Sequence, residues 1–233
     1  MSIQKTFKNC GKALKLCSFF LCVVTLLSAV GCSYSDYKEP ENRTFVSAVA
    51  LDRSQEKLLL TAELIRIKEN LNNDEYTVST ISGVGKTPDE AMRAIVLKNS
   101  KELDFSHCAV LGLGDSLTSE QVTRMLQYWF KERTLTLSVR LVMTEDAAAL
   151  FSANEDGEKP VGYEISEMIK NDYNNTFKIK SCRLLDFINA QDGKKKAVQI
   201  PYFTVKKNKG GTVFYPDGIV QFKDGQRTLK KRR

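Results

Sequence analysis

The pattern of apolar and polar residues predicts a run of strands at the beginning of the folded region. Residues 44–51 and 58–67 are rich in β-forming residues and are separated by the polar turn 52–57, which predicts a β-hairpin. After a second polar stretch at residues 71–75, residues 76–82 predict a third strand. These elements are expected to form a three-stranded meander.

Two stretches combine helical periodicity with a clear start signal. The first begins with Thr87 as N-cap and Pro88 at the first helical position, is followed by two acidic residues, and continues at helical spacing to about Leu103. The second covers residues 119–132 and is amphipathic. Its apolar stripe, in which Trp129 is expected to belong to the core, consists of Val122, Met125, Leu126, Trp129 and Phe130.

Two strands, one of them buried on both faces, and three further helices are predicted besides these two helices. Residues 108–113 form an apolar run that is typical of a strand buried on both faces. Residues 134–143 alternate between apolar and polar, which predicts a strand with one face in water. Helices are predicted for residues 147–151, 162–174 and 182–190.

The last part of the chain predicts a small antiparallel unit. A charged break at residues 191–196 precedes β-rich segments at 197–200, 202–205, 212–215 and 218–222. We therefore expect an α+β fold, with an antiparallel or mixed sheet and packed helices. Its domain would cover residues 44–190, and residues 191–233 would be a small β-rich segment, consistent with the start of a truncated second domain.

The first 43 residues have the pattern of an export signal followed by a tether. Four lysines precede an apolar run at residues 16–30, which is shorter than the roughly 20 apolar residues that span a bilayer. The run ends in Ala29-Val30-Gly31-Cys32, which resembles a bacterial lipobox, in which the cysteine is acylated and becomes the new N-terminus. We interpret residues 1–31 as a lipoprotein signal peptide, Cys32 as the lipidation site and residues 32–43 as the tether. The alternatives are an ordinary signal peptide or an uncleaved anchor.

Composition limits the classes of function that remain. Removal of residues 1–31, which contain four lysines and no acidic residue, lowers the formal net charge from +7 to +3, so charge gives no argument for nucleic-acid binding. The chain has one histidine and no metal-ligand spacing, so neither a metal nor a cofactor is expected. The basic end, residues 230–233, is interpreted as a solvated tail, with contact to anionic lipid as the alternative.

Two cysteines remain in the mature chain besides Cys32. Cys108 lies in an apolar run, which favours buried thiols for Cys108 and Cys182. A disulfide between them stays open, because sequence alone does not give the distance between the two residues.

One motif suggests an enzyme. Gly114-Asp115-Ser116-Leu117 resembles the nucleophile block of the Gly-Asp-Ser-Leu esterases, in which Ser116 would be the nucleophile. Such a serine needs an adjacent base, and the only histidine, His107, lies at the other end of the same predicted strand. The competing interpretation is a strand-to-helix turn in which Ser116 or Thr118 caps the next helix.

The order of several motifs resembles the Ger(x)C family, the C-subunit lipoproteins of spore germinant receptors. The motifs are the lipobox followed by a hairpin, Gly-x-Thr-x-x-Glu-Ala (Gly85, Thr87, Glu90, Ala91), Phe-Ser-His (Phe105, Ser106, His107) and Gly-Ile-Val-Gln-Phe-Lys (residues 218–223). The resemblance implies an α+β, non-enzymatic subunit that is moored by lipid in the spore inner membrane and works with the integral-membrane A and B subunits.

The chain departs from this family in two places. Residues 33–36 read Ser-Tyr-Ser-Asp where family members carry Trp-Asp directly after the lipidated cysteine. The further C-terminal domain that family members carry beyond the Phe-Lys block is expected to be missing after Arg233, as in a short paralogue or a truncated gene. Two other hypotheses remain beside the receptor subunit: an exported, lipid-anchored serine esterase that uses Ser116, and the substrate-binding lipoprotein of a transporter.

Overall fold

The computed structural model of the chain describes residues 18–22, 24, 43–67, 76–154, 159–171, 179–193, 197–208, 211–223 and 225–231. The chain divides into two compact units, Met1–Glu39 and Pro40–Arg233. In the first unit, residues 18–22 and 24 are helical and exposed. The second unit contains all of the elements discussed below.

A single mixed sheet forms the centre of this second unit. In the described residues it has nine strands, in the order β3-β2-β1-β5-β6-β7-β8-β9, with β4 paired to β1. The expected α+β class is confirmed. The strands are β1 (Arg43–Ser54), β2 (Lys57–Ile67), β3 (Tyr76–Gly85), β4 (Glu102–Asp104), β5 (Val110–Gly114), β6 (Arg140–Thr144), β7 (Ala197–Asn208), β8 (Gly211–Lys223) and β9 (Gln226–Lys231).

The sheet has a parallel centre and antiparallel sides. β1, β5, β6 and β7 run parallel, so all four begin at the same end of the sheet. The predicted meander is confirmed, because β2 pairs antiparallel with β1, and β3 pairs antiparallel with β2. On the other side, β8 pairs antiparallel with β7, and β9 pairs antiparallel with β8.

Helices cover both faces of the sheet, because central strands such as β1 present apolar side chains on both faces. The residues of β1 point alternately to the two faces: Val49 and Leu51 contact one core, and the smaller Ala48 and Ala50 contact the other. The first core receives α1 (Pro88–Val96), α2 (Ser119–Glu132) and α5 (Leu184–Asp192), and the second receives α3 (Ala147–Phe151) and α4 (Val161–Lys170).

The predicted starts of the two helices are confirmed, but the predicted end of the first is wrong, because α1 ends at Val96 and residues 102–104 form strand β4. The Thr87 and Thr118 side chains accept hydrogen bonds from the backbone N–H groups of Glu90 and Gln121, three residues later in each case. Of the apolar stripe on α2, the first four residues are buried, including Trp129, whereas Phe130 is 37% exposed. Phe130 is therefore a rim residue, contrary to the prediction.

The predicted strand at residues 134–143 is wrong in its first half. The strand begins only at Arg140, and Leu137 is 41% exposed. The backbone carbonyls of Leu137 and Val139 instead accept hydrogen bonds from Leu185 and Leu184 at the start of α5. The strand also has no wet face, because it lies between two parallel neighbours and Val142 is buried under α3 and α4.

The last part of the chain contains more sheet than the sequence pattern predicted. The four short β-rich segments form two long strands, β7 and β8, with an irregularity between Tyr202 and Phe203. Lys230 and Lys231, interpreted above as part of a tail, end strand β9, which was not predicted. Residues 232 and 233 lie outside the described residues. Strands β7 to β9 continue the same sheet as β1 to β6.

Candidate functional site

The expected lipidation site lies outside the part of the chain that the structure describes. Cys32 belongs to the undescribed residues, as do most of the predicted signal peptide and of the tether. The first described residue after Cys32 is Arg43, which begins β1. The lipobox therefore stays a prediction.

The Gly-Asp-Ser-Leu segment forms the turn between β5 and α2. The Ser116 hydroxyl accepts a hydrogen bond of 2.8 Å from the backbone N–H of Arg53, at the end of β1. Leu117 is buried in the core, and Thr118 forms a reciprocal capping box with Gln121. Thr118, and not Ser116, is the N-cap of α2. The segment thus has the geometry of the strand-to-helix turn that was the competing interpretation.

Two side chains from the C-terminal strands of the sheet hold Asp115 in place. Its carboxylate accepts a hydrogen bond of 2.7 Å from the Tyr202 hydroxyl of β7, and its backbone carbonyl accepts one of 2.7 Å from the Arg227 guanidinium of β9. Burial is the main cause that raises the pKa of Tyr202, and the hydrogen bond to the Asp115 carboxylate raises it further. The carboxylate is therefore engaged in joining β5 to the last strands.

The histidine that could serve Ser116 as a base is not beside it. The only histidine of the sequence, His107, precedes β5, whereas Ser116 follows it, so the whole strand separates the two. His107 contacts the ring of Phe45 edge-on at 5.6 Å between centroids. A serine-histidine pair is therefore not assembled, as expected from the spacing.

The Phe-Ser-His motif lies at the entrance to β5. The backbone N–H of Ser106 donates to the Asp104 carboxylate at 2.9 Å, and Arg43 donates to the same carboxylate at 3.0 Å. The pKa of Asp104 is lowered, most strongly by a hydrogen bond from the Ser106 side chain and then by the backbone N–H of Ser106 and by Arg43. Ser106 is thus bound to a carboxylate at the entrance to the strand.

The Gly-x-Thr-x-x-Glu-Ala motif joins β3 to α1. Gly85 has no room for a β-carbon, because Glu90 and the backbone of Ala91 occupy that space. Thr87 caps the helix, and the Glu90 carboxylate accepts a hydrogen bond of 2.7 Å from the backbone N–H of Lys86. Each residue of the motif therefore has a structural role at the junction of strand and helix.

Two buried carboxylates were missed by the sequence interpretation. Glu63 of β2 has no exposed surface, and it accepts hydrogen bonds from the Ser47 hydroxyl at 2.6 Å and from the backbone N–H groups of Val161 and Gly162 at 2.7 and 3.0 Å. Glu63 thereby supplies the cap that α4 lacks locally, since its N-cap residue is Pro160. The available signal was a charged residue inside an apolar strand.

Asp52, near the end of β1, also binds the start of a helix through its carboxylate. It accepts hydrogen bonds from the backbone N–H groups of Ala147 at 3.2 Å and Ala148 at 2.9 Å, at the start of α3. Burial is the largest influence on both carboxylates and raises the pKa of Asp52 and the pKa of Glu63, although the hydrogen bonds act in the opposite direction. Asp52 is the first residue of the predicted polar turn 52–57, so its sequence context indicated a solvated residue, whereas in the structure it lies within β1.

The two remaining cysteines are free thiols in the structure. Cys108 and Cys182 are both buried, which agrees with the interpretation that favoured thiols over a disulfide. Burial raises the pKa of each thiol to about 12. Neither has the lowered pKa of a reactive cysteine.

Two pockets open at the end of the sheet where β1 begins. One has a volume of about 380 Å³ and a largely apolar lining. The other, of about 440 Å³, contains charged groups of both signs, among them Arg43, Asp104 and Arg133. No cluster of three or more metal-ligating side chains occurs in the described ranges. The apolar pocket is lined by Phe45, Ile65, Tyr76, His107, Pro160 and Tyr163.

Comparison with known proteins gives one match. A family model described as the spore germination protein N-terminal domain matches residues 36–205, which is most of the chain and extends from the predicted tether into β7. No curated protein and no solved structure matches the chain.

Proposed function

Because the chain belongs to the spore germination protein family defined by this N-terminal domain, we propose that it is a lipid-anchored, non-enzymatic accessory subunit of a spore germinant receptor. Family membership gives the protein a role in spore germination and associates it with a germinant receptor complex at the spore membrane. The finer proposal is that acylated Cys32 holds the domain on the outer face of the cytoplasmic membrane, the inner membrane of the spore. There it works with the integral-membrane A and B subunits.

The family match over residues 36–205 is the observation that carries this proposal. Within the described residues, no helix has the length and apolar character needed to cross a bilayer. A lipid on Cys32 would supply the attachment, since two or more acyl chains anchor a protein far more stably than one. The lipid would also raise the local concentration of the domain beside its membrane partners.

The arrangement around Ser116 supports a non-enzymatic subunit. Its hydroxyl oxygen is engaged by the backbone of Arg53, and the neighbouring carboxylate of Asp115 binds Tyr202. A nucleophilic serine instead needs a base within hydrogen-bonding distance. The protein would therefore act through contacts with its partners.

Mass spectrometry of the protein recovered from spore membranes tests the anchor. We expect a mature chain that begins at acylated Cys32, and we expect the Cys32→Ala variant to be lost from the membrane fraction. Cys22→Ala is the matched control, because Cys22 lies in the segment expected to be removed. A soluble product cut elsewhere, or an intact precursor in the membrane, would exclude the lipobox.

Co-purification tests the partners. Affinity capture of the acylated protein from detergent-solubilised spore membranes should recover both integral-membrane subunits in a fixed ratio. Recovery of neither subunit, from membranes in which both are present, would exclude an accessory role in the receptor.

A further inference from the structure

The apolar pocket at the beginning of β1 is not explained by the proposed function. Phe45 lies near the start of β1, Ile65 near the end of β2, and Tyr76 is the first residue of β3. His107 forms another wall, and its ring contacts Phe45 edge-on. The remaining wall is the start of α4, with Pro160 and Tyr163. Residues from five separate parts of the chain therefore build the pocket.

The pocket exposes an aromatic surface to water. Its volume of about 380 Å³ lies in the range typical of small-molecule sites, and its lining is almost entirely apolar. Phe45, Ile65 and Tyr163 are only partly buried, and Tyr76 is 43% exposed. Contiguous apolar surface of this kind usually marks contact with a membrane or a partner.

The short separation in sequence between Cys32 and the pocket favours a membrane. Phe45 follows Arg43 by two residues, and Arg43 follows Cys32 by 11 positions. A fully extended chain covers at most about 3.5 Å per residue, so this segment spans no more than roughly 40 Å. If Cys32 carries the lipid, the end of the sheet that contains the pocket is the end connected to the bilayer through this short segment.

The side chains around the pocket suit a lipid surface. Tyrosine is enriched at membrane interfaces because its ring is apolar and its hydroxyl is polar, and the pocket contains Tyr76 and Tyr163. Two exposed basic residues, Arg66 and Lys159, are the chain neighbours of Ile65 and Pro160. Basic groups beside an apolar surface are attracted to the anionic headgroups of the membrane.

We propose that this pocket binds an acyl chain of an anionic membrane phospholipid, so that the end of the sheet at which β1 begins rests on the bilayer. This inference rests on the proposed lipid anchor and deepens it, because it fixes which end of the domain faces the membrane. The opposite end of the sheet, where β7 ends and β8 begins, then faces away from the bilayer.

Depth-dependent quenching tests the proposal. The acylated Tyr76→Trp variant is placed in phosphatidylglycerol vesicles whose acyl chains are brominated. Bromine quenches indole on contact, and the natural Trp129 is buried in the core and gives a constant background. The matched control is Val213→Trp, at an exposed position near the beginning of β8. We expect loss of most of the added emission for Tyr76→Trp and none for Val213→Trp.

A second measurement separates the pocket from the anchor. The Cys32→Ala, Tyr76→Trp protein is titrated with monomeric brominated lysophosphatidylglycerol, which requires no anchor. Saturable quenching that Phe45→Ala weakens supports the pocket even if mass spectrometry shows no acylation of Cys32. Absence of quenching with a correctly folded protein in both experiments overturns the proposal. Equal quenching of both tryptophan positions in vesicles overturns it as well.

The same probe identifies a protein occupant. If the indole of Tyr76→Trp becomes shielded only when the integral-membrane subunits are present, and not by lipid alone, the pocket is a subunit interface and the lipid proposal is wrong.

Discussion

The carboxylate of Asp52 lies against the α-carbon of Gly114, in the space that a β-carbon would occupy. From this position it accepts hydrogen bonds from the first two backbone N–H groups of α3, those of Ala147 and Ala148. The glycine of the Gly-Asp-Ser-Leu segment is therefore explained by a buried carboxylate on the neighbouring strand β1, and not by a nucleophile.

Gly114→Ala should destabilise the protein by about 3 kcal/mol, because the added methyl group displaces Asp52 from a closely packed site. Urea unfolding followed by circular dichroism measures this cost. In an Asp52→Ala background the same substitution should cost much less, with a coupling energy of about 1–3 kcal/mol. Equal costs in the two backgrounds would show that the two residues do not interact in this way.

Glu63→Ala should cost about 3 kcal/mol or more, since it leaves the N–H groups of Val161 and Gly162 buried without an acceptor. Urea unfolding again gives the value. Glu167→Ala, at an exposed position on the same helix, is the matched control and should change stability by no more than about 0.5 kcal/mol. A small effect of Glu63→Ala would mean that water or another group replaces the carboxylate.

The raised pKa of Glu63 predicts a dependence of stability on pH. Because the folded protein holds this proton to a higher pH than the unfolded chain, the folded state binds more protons above the ordinary value of 4.5, and stability decreases as the pH rises through that window. The free energy of unfolding of the natural protein, relative to Glu63→Gln, should therefore increase as the pH is lowered from neutral.

This pH measurement is best confined to about pH 5–7, where ordinary aspartates remain ionised. The lowered pKa values of Asp104 and Asp186 act only below that range, since the stability they contribute is lost as the pH falls through those values. Burial raises the pKa of Asp52 as well, which adds an effect of the same sign to both proteins. A loss of relative stability on acidification would show that the pKa of Glu63 is lowered instead.

The buried thiols should not react in the folded protein. With pKa values raised to about 12 by burial, Cys108 and Cys182 remain protonated at pH 8 and inaccessible to iodoacetamide. Peptide mapping by mass spectrometry should show alkylation of both only after unfolding. Leu97→Cys, at a position that is 87% exposed, is the positive control and should be alkylated in the folded state.

Ser116→Ala should leave hydrolysis of p-nitrophenyl butyrate unchanged and cost at most about 1 kcal/mol, the usual contribution of one hydrogen bond. The lost interaction is the one with the backbone N–H of Arg53. Purified natural protein and variant are compared at equal concentration. A hydrolysis rate that falls in the variant alone would support the esterase hypothesis and contradict the non-enzymatic proposal.

The sequence by itself determined the elements whose signals are local. The caps of α1 and α2 use Thr87 and Thr118 and groups three residues away, so each can be recognised within one turn of chain. The buried strand β5 follows from its continuous apolar run. The order of motifs also predicted the family, which the match over residues 36–205 confirms.

Only the tertiary structure decided which distant groups meet. Glu63 caps a helix that begins 98 residues later, and Asp52 one that begins 95 residues later, and no local pattern identifies such partners. The late start of β6 at Arg140 and the presence of β9 have the same origin: the backbone carbonyls of residues 137 and 139 accept hydrogen bonds from the start of α5, and β9 pairs with the edge of β8. A backbone group pairs with whichever partner the fold brings near, and that choice is made between segments far apart in sequence.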